Sequence, residues 1–270
     1  MIYQDLCIGG AAAIIARTCT APLELFKLQR QNSFMPHSTL RAVLAKEGQR
    51  YLWKGNGVNC MRAFPQFSIN YAVFNYARTN VFTSIQNTQT RNFLSGGLSG
   101  ITALCCMYPL ETLRTRLSLQ TCHNHYVSIP DAVKKMSLRD MYRGLGMSLM
   151  GFGPYNALNF SAFFYLAQQF EQYSIDKNIQ KLLAGGLSGL CAVTITYPSD
   201  LIRRRLQLQG FDNAVPSYTG ITDCISKVLK KEGCRGLYRG LGATYIKLFP
   251  TTAIQFWVIE TCREELKKNH

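Results

Sequence analysis

The sequence repeats one hexamer pattern three times: Pro22-Leu23-Glu24-Leu25-Phe26-Lys27, Pro109-Leu110-Glu111-Thr112-Leu113-Arg114 and Pro198-Ser199-Asp200-Leu201-Ile202-Arg203. Each copy has a proline, an acidic residue two positions later and a basic residue three positions after the acid. One such hexamer carries little information, but three copies at nearly even spacing indicate a threefold internal repeat. We therefore predict three repeat units at residues 1–86, 87–175 and 176–270, joined into one integrated domain.

Long uncharged stretches accompany the hexamers. Residues 144–170 contain no charged side chain, and about 20 mostly apolar residues suffice to cross a bilayer core. Similar stretches, uncharged or with a single base, lie at 6–23, 63–77, 92–110, 182–198 and 240–259. The sequence therefore predicts an all-α membrane protein with six transmembrane helices, two in each repeat.

The net charge is +15, and most of the lysines and arginines lie in the long connections within the repeats. No RNA- or DNA-binding motif accompanies this charge, so we expect no nucleic-acid partner. No nucleophile–base pair or nucleotide-binding glycine loop indicates an enzyme, and no cofactor is expected. The segment Cys122-His123-Asn124-His125 has no second ligand pair, so no metal site is predicted.

The acid and base of each hexamer lie on adjacent faces of one helix. They can pair within that helix, or each acid can pair with the base of the next repeat. The second arrangement gives a closed ring, and threefold symmetry favours it: Glu24–Arg114, Glu111–Arg203 and Asp200–Lys27. Gln31 and Gln207 follow their prolines by nine residues, and we expect them to hydrogen-bond to this ring. Ser118 occupies the same place in repeat two.

The second helix of each repeat carries polar side chains at steps of four. These positions are Arg62/Gln66/Asn70, Gly151/Tyr155/Asn159 and Lys247/Thr251/Gln255. One polar face on each membrane helix predicts a shared aqueous cavity, although polar residues also hold membrane helices together. Charges within a membrane are costly and usually functional, so Arg62 and Lys247 are predicted to line the cavity.

The hexamers are followed by an acid-Gly-x4-aromatic-basic-Gly pattern, as in Glu232-Gly233 and Tyr238-Arg239-Gly240. Repeat two keeps only Tyr142-Arg143-Gly144. With these motifs the sequence resembles the mitochondrial carrier family over nearly its whole length. The resemblance implies a six-helix bundle with short matrix-side surface helices in the mitochondrial inner membrane. It also implies alternating access, with the charged ring as the matrix gate.

The same resemblance assigns substrate contacts to Arg62, Gly151, Phe152 and Lys247. Further substrate contacts resembling those of the ADP/ATP carrier are Arg17, Tyr155 and Thr196. Three cavity bases (Arg17, Arg62 and Lys247) with no acid at the same level are expected to attract a polyanion. Gly151 is expected to leave room for a flat ring beside Tyr155.

These features favour exchange of adenine nucleotides or related phosphorylated nucleotide cofactors. The alternatives are another anion, such as coenzyme A, thiamine pyrophosphate, a phosphosulfate or a carboxylate, or a non-transporting membrane scaffold. We expect a functional monomer in the lipid bilayer, with cardiolipin at the matrix-side helix ends.

The family's cytosolic gate consists of an acid and a base near the end of the second membrane helix of each repeat. The matching positions hold Asn75 and Arg78, Phe164 and Ala167, and Glu260 and Arg263. Only the last pair is complete, although a cross-repeat pair between Glu260 and Arg78 is available. The sequence therefore predicts a weak cytosolic gate and a resting state open to the cytosol.

Overall fold

The computed structural model describes the backbone of residues 2–32, 45, 48–120, 126–172, 177–210 and 216–268. Side chains are described for residues 9–32, 45, 48–120, 126–172, 180, 183–210, 216–255, 257, 258, 261 and 262. In these ranges the regular structure is helical. The α-helices are α1 Ile2–Cys19, α2 Ala21–Gln31, α3 Asn56–Tyr76, α4 Thr88–Leu119, α5 Ile129–Lys135, α6 Leu138–Met141, α7 Leu145–Phe170, α8 Lys177–Leu208, α9 Ile221–Gly236 and α10 Leu241–Lys268.

Helix α4 is the one helix in the described ranges that is both long and apolar enough, taken alone, to cross a membrane. It has 32 residues, and its N-cap Asn87 accepts hydrogen bonds from the amides of Gln89 and Thr90 at 2.9 and 3.3 Å. Such caps satisfy amides that the first helical turn leaves without a partner.

Each repeat has two long helical spans, and we number the six spans along the chain: α1 with α2, α3, α4, α7, α8 and α10. They pack in a closed circle, and each even-numbered span lies along the odd-numbered span of the next repeat. Helix α3 packs along α4, α7 along α8, and α10 along α1 and α2. The last repeat therefore contacts the first, as threefold pseudo-symmetry requires.

The hexamer prolines lie within or beside helices. Pro109 and Pro198 are internal to α4 and α8, whereas the helix of repeat one is interrupted at Thr20, two residues before Pro22. Because proline has no N–H, Pro22 leaves the carbonyl of Thr18 without its helical donor. The indole of Trp53 donates to that carbonyl at 3.0 Å, and the freed acceptor is thus satisfied.

Repeats two and three use a different aromatic contact at the same place. Tyr108 and Tyr197, each directly before a hexamer proline, stack on Tyr142 and Tyr238, with ring centroids 6.3 Å apart in both pairs. Their hydroxyls donate to the carbonyls that follow those partners, at 3.1 and 2.9 Å. Repeat one has Ala21 at this position, so its Trp53 can reach the backbone itself.

Three glycines at the starts of the even-numbered spans bring each span close to the next repeat. Gly55, Gly144 and Gly240 have φ values of 81°, 86° and 87°, which residues with a Cβ rarely adopt. A Cβ on Gly144 would lie 3.0 Å from the carbonyl oxygen of Arg203, and one on Gly240 would lie 3.0 Å from the side chain of Gln31. A larger residue here would therefore separate adjacent repeats.

Glycines of the odd-numbered spans receive aromatic rings of their own repeat. A Cβ on Gly10 would meet the ring of Phe64 at 2.6 Å, and one on Gly9 would meet Phe67 at 3.2 Å. The ring of Phe152 lies against Gly100 in the same way. These contacts agree with small residues allowing close helix approach.

The short helix α9 packs beneath α8 through a buried charge pair. The guanidinium of Arg205, whose side chain is 1% exposed, binds both carboxylate oxygens of Glu232 at 2.6 and 2.9 Å. Cys224 and Tyr218 are buried in the same cluster, and burial raises the pKa of each to about 12. The loop–helix unit is therefore anchored through both charge and apolar contact.

Candidate functional site

The three hexamers converge on one buried layer of charge, which we call the charged ring. Lys27 Nζ lies 2.9 Å from Asp200 Oδ2, and Arg114 Nη2 lies 3.3 Å from Glu24 Oε1. Arg203 forms an ion pair with Glu111. The structure thus brings together the residues of all three cross-repeat pairs that the hexamer spacing predicts.

Two further bases reach this ring from the even-numbered spans. Arg62 Nη1 lies 3.2 Å from Glu111 Oε2, and Lys247 is paired with Glu24. The expectation that no acid lies at the level of these two bases is therefore wrong. The reason is the close packing of each even-numbered span on the next hexamer helix, a distance between helices that the spacing of residues along one helix does not reveal.

One ring residue has no counterpart in the sequence-based prediction. Arg204, with a side chain 8% exposed, lies 3.3 Å from Glu111 Oε1 and 3.8 Å from Asp200 Oδ1. It belongs to a run of three arginines, Arg203 to Arg205, at the point where an uncharged span ends. This local excess of bases over acids is the sequence feature from which an extra base in the ring could have been predicted.

The two glutamines below the hexamers differ in their contacts. Gln31 donates to Asp200 Oδ2 and to the hydroxyl of Tyr197, both at 3.1 Å, so it binds the ring as predicted. Gln207 instead donates to Tyr108 at 3.1 Å and accepts from Thr115 and from Arg204. Gln207 therefore reaches the ring acids only through Arg204, which corrects the expected direct bond.

The corresponding residue of repeat two, Ser118, points away from the ring. Its hydroxyl donates to the carbonyl of Lys54 at 3.1 Å, at the start of α3. It therefore connects repeats one and two through the backbone rather than through a carboxylate.

A cavity of about 440 Å³ opens beside the ring, between α7, α8 and α10. Its walls include Lys27, Asp200 and Arg203 of the ring. Its lining also includes many of the predicted contact residues, namely Gly151, Phe152, Tyr155, Thr196, Lys247, Thr251 and Gln255. The volume falls within the range usual for small-molecule sites.

Gly151 packs against protein on its α8 side. A Cβ at this position would lie 2.6 Å from Ser199 Oγ, so the glycine lets α7 approach α8. Gly151 also lines the cavity together with Tyr155, and the room for a flat ring beside these two residues stays a prediction. Phe152, whose ring also packs on Gly100, lines the cavity next to it.

Arg17 contacts α3 rather than the helices that line this cavity. Its Nη1 donates to the carbonyl of Asn59 at 2.8 Å, which joins α1 to α3. Neither Arg17 nor Arg62 belongs to the described lining of the cavity. The structure therefore groups Lys247, Tyr155 and Thr196 but places Arg17 and Arg62 outside that group.

The predicted polar stripes retain unsatisfied acceptors. The side-chain oxygens of Gln66, Asn70 and Asn159 are buried and have no hydrogen-bond partner among the described residues. Buried polar atoms are nearly always satisfied by protein or water. These oxygens are thus available for water or a ligand.

At the other end of the bundle, Arg78 is exposed and lies in a π-helical turn, Ala77–Val81, that continues α3. Its predicted partner Glu260 and the neighbouring Arg263 lie on α10, but their side chains are outside the described residues. The Cys122–His125 segment is also outside the described residues. In the described part of the chain, no group of His, Cys, Asp and Glu is arranged to hold a metal ion.

A helical bundle of three sequence repeats, with a buried ring of ion pairs beside a polar cavity, defines the class of solute transporters built from a triplicated unit. The chain belongs to the mitochondrial carrier protein family: the family profile described as "Mitochondrial carrier protein" matches residues 1–84, 86–174 and 175–270. Members of this family are transporters rather than enzymes.

Relatives of similar length resemble the chain from end to end. It is 32% identical over 271 residues to "Mitochondrial substrate carrier family protein P" of Dictyostelium discoideum, covering 93% of this chain and 90% of the relative. It is 33% identical to mouse "Solute carrier family 25 member 16", covering 95% and 86%. It is 31% identical to the "Mitochondrial adenine nucleotide transporter ADNT1" of Arabidopsis thaliana, covering 98% and 87%.

Proposed function

We propose that this protein exchanges adenine nucleotides, or closely related phosphorylated nucleotide cofactors, across the mitochondrial inner membrane by alternating access. The observation that carries the proposal is the excess of base at the charged ring. Six basic side chains surround three acids, and three of the six, Lys27, Arg203 and Lys247, line the adjacent cavity. A site with this imbalance attracts a multiply charged anion.

The cavity supplies complementary groups for the two parts of a nucleotide. Lys247 offers a point charge to phosphate, and the hydroxyls of Thr196 and Thr251 lie in the same wall. Phe152 and Tyr155 offer aromatic surface on the opposite helix, where a base can stack. A phosphorylated group that carries a flat ring therefore fits both ends of the cavity.

The ion pairs provide a route from binding to opening. Lys247 is the partner of Glu24, which also holds Arg114 of the next repeat. When a phosphate binds Lys247, the carboxylate of Glu24 loses one of its two bases, and the closed ring is weakened. The ring thereby acts as the matrix gate. The predicted cytosolic gate, with Arg78 and Glu260, is the weaker of the two.

The membrane arrangement follows the family. We propose six spans, formed by α1 with α2, α3, α4, α7, α8 and α10, with both termini on the cytosolic side and α5, α6 and α9 on the matrix side. The exposed side chains of Phe93, Ile195, Ile246 and Trp257 would then face lipid acyl chains. The name of the relative ADNT1 supports the mitochondrial location and the nucleotide substrate.

A second cavity supports an acidic lipid at the matrix-side helix ends. It has a volume of about 420 Å³ and lies between the start of α3 and the start of α5. Its lining includes Lys54, Gly55 and Ser128. A base beside small residues suits a phosphate headgroup, and we propose cardiolipin for this place.

The test is exchange by the purified protein in liposomes loaded with ADP, ATP, coenzyme A, thiamine pyrophosphate or a phosphosulfate. We expect external labelled adenine nucleotide to enter only when an exchangeable nucleotide is inside. Replacing the two bases that reach the charged ring from α3 and α10, Arg62→Ala with Lys247→Ala, should reduce exchange at least about 100-fold, because each change removes a charge-assisted contact.

A matched control removes two bases outside the site. Lys135 and Lys227 lie on α5 and α9, with side chains 53% and 42% exposed. The double variant Lys135→Ala with Lys227→Ala should exchange at the wild-type rate. Normal exchange by the Arg62/Lys247 variant would exclude the proposed site, and preference for another internal anion would replace the nucleotide as substrate.

A further inference from the structure

Each acid of the charged ring has one hexamer base and at least one additional base. The hexamer base comes from the neighbouring repeat in all three cases. The additional bases are Lys247 for Glu24, Arg62 for Glu111, and Arg204 for Asp200. Asp200 therefore differs from the other two acids because its additional base comes from its own helix and is shared with Glu111.

The additional bases of Glu24 and Glu111 occupy equivalent positions in their repeats. Arg62 and Lys247 stand three residues before the internal prolines of α3 and α10, and each reaches the ring acid of the following repeat. The same position of repeat two is Gly151. Its hypothetical Cβ would lie 2.6 Å from Ser199 Oγ, directly beside Asp200 in the chain. The geometry is thus preserved in repeat two, but the charge is missing.

Arg204 carries a charge where the other repeats have none. It stands six residues after Pro198, and the corresponding residues of repeats one and two are Leu28 and Thr115. Its guanidinium lies 3.8 Å from Asp200 Oδ1 and 3.3 Å from Glu111 Oε1, and donates to the hydroxyl of Thr115 at 3.0 Å. An extra buried base therefore occurs in the one repeat whose acid receives none from position 151.

We propose that Arg204 is a positioning residue of the gate, which supplies to Asp200 the counter-charge that Gly151 does not provide. This inference rests on the proposed role of the ring as a gate. It also distinguishes the three acids functionally. Lys247 lines the cavity and is accessible to a substrate anion, whereas Arg204 is buried and absent from the described lining. Substrate binding therefore removes Lys247 from Glu24 but leaves Arg204 beside Asp200.

The first test is thermal unfolding of the purified protein in detergent, which requires no substrate. Arg204→Thr introduces the residue of repeat two and should lower the midpoint by about 5 °C or more, because a buried carboxylate loses a base. Arg204→Lys should keep most of the stability. In an Asp200→Asn background, Arg204→Thr should cost clearly less than it does alone.

The second test restores the missing charge at position 151. In the Arg204→Thr variant, the further change Gly151→Arg should recover at least half of the decrease in unfolding midpoint. The nearest atom to the new side chain, Ser199 Oγ, is the end of a small side chain and can move aside. Gly151→Ala in the same background is the matched control and should recover nothing. A wild-type midpoint for Arg204→Thr, equal costs with and without Asp200, or equal recovery by alanine and arginine would each overturn the proposal.

Transport separates this inference from the proposed substrate. Arg204→Thr should increase leak from loaded liposomes without an external counter-substrate, with less than about a threefold change in KM. Lys247→Ala should instead raise KM about tenfold or more. If no nucleotide is exchanged by the wild type, the proposed function fails, while the unfolding measurements still decide the role of Arg204.

Discussion

Arg62 of the first repeat forms an ion pair with Glu111 of the second, with 3.2 Å between Nη1 and Oε2. A residue expected to bind substrate is therefore also part of the network that holds two repeats together. Lys247 has the same double position with respect to Glu24. Binding and closure share the same charges, so a substrate that engages these bases acts directly on the contacts between repeats.

Gln31 should strengthen the ring where the last repeat meets the first. Its buried amide donates to both Asp200 and Tyr197 at 3.1 Å. Replacing it with serine, the residue of repeat two, should cost about 1–3 kcal/mol, since a buried carboxylate loses a donor. Thermal unfolding measures the loss. Gln29→Ser, at a half-buried position two residues earlier, is the control, and equal midpoints for the two variants would contradict the prediction.

Trp53 should contribute to stability through its indole N–H. Trp53→Phe keeps an aromatic ring but leaves the carbonyl of Thr18, already freed by Pro22, without a donor. We expect a loss of about 1 kcal/mol, or roughly 2–4 °C in the unfolding midpoint. Tyr142→Phe retains its stacked ring and should change the midpoint little. The prediction is wrong if both variants behave alike.

Glu232 should be essential for holding helix α9 in place. The side chain of Arg205 is 1% exposed, so Glu232→Ala leaves a buried guanidinium without its carboxylate. The expected cost is about 3–5 kcal/mol, and Glu232→Gln should lose less because it keeps one acceptor. Proteolysis of the α9 region, followed by mass spectrometry, will locate the loss. Uniform loosening of the whole bundle would argue against a local role.

Two cysteines on α9 should differ strongly in reactivity. Burial raises the pKa of Cys224 to about 12, so at pH 8 only about one molecule in 10⁴ carries the reactive thiolate. Cys234 is exposed and directly follows Gly233, where the helical backbone of α9 is interrupted. Maleimide labelling read by peptide mass spectrometry should modify Cys234 within minutes and Cys224 only after denaturation. Rapid labelling of Cys224 at pH 8 in the folded protein would show that the helix opens.

The sequence predicts the hexamer layer well because two local facts suffice there. The spacing of Glu111 and Arg114 sets their faces on one helix, and threefold symmetry identifies the neighbour that each one meets. The additional bases that reach Glu24 and Glu111, Lys247 and Arg62, depend on how deeply one helix packs against the next. That distance is set by contacts such as Gly151 on Ser199, which no pattern along a single helix contains.

The difference at Trp53 illustrates the same limit. Its place in the acid-Gly-x4-aromatic-basic-Gly pattern predicts equivalence with Tyr142 and Tyr238. The structure shows equivalent positions with unequal chemistry, because the partner in repeat one is Ala21 rather than tyrosine. Symmetry in sequence therefore predicts location more reliably than it predicts the bond formed.

The pairing of the last span with the first has a consequence for the order of folding. Lys27 meets Asp200 across 173 residues of sequence, and Glu24 acquires Lys247 only from the final helix. The acid of the first hexamer thus remains incompletely neutralised until nearly the whole chain has entered the membrane. We therefore expect closure of the circle to come last in assembly, and we expect a chain that stops before α10 to lack the Lys247 partner of Glu24. Such a fragment is a natural target for quality control, since an uncompensated charge in lipid is costly.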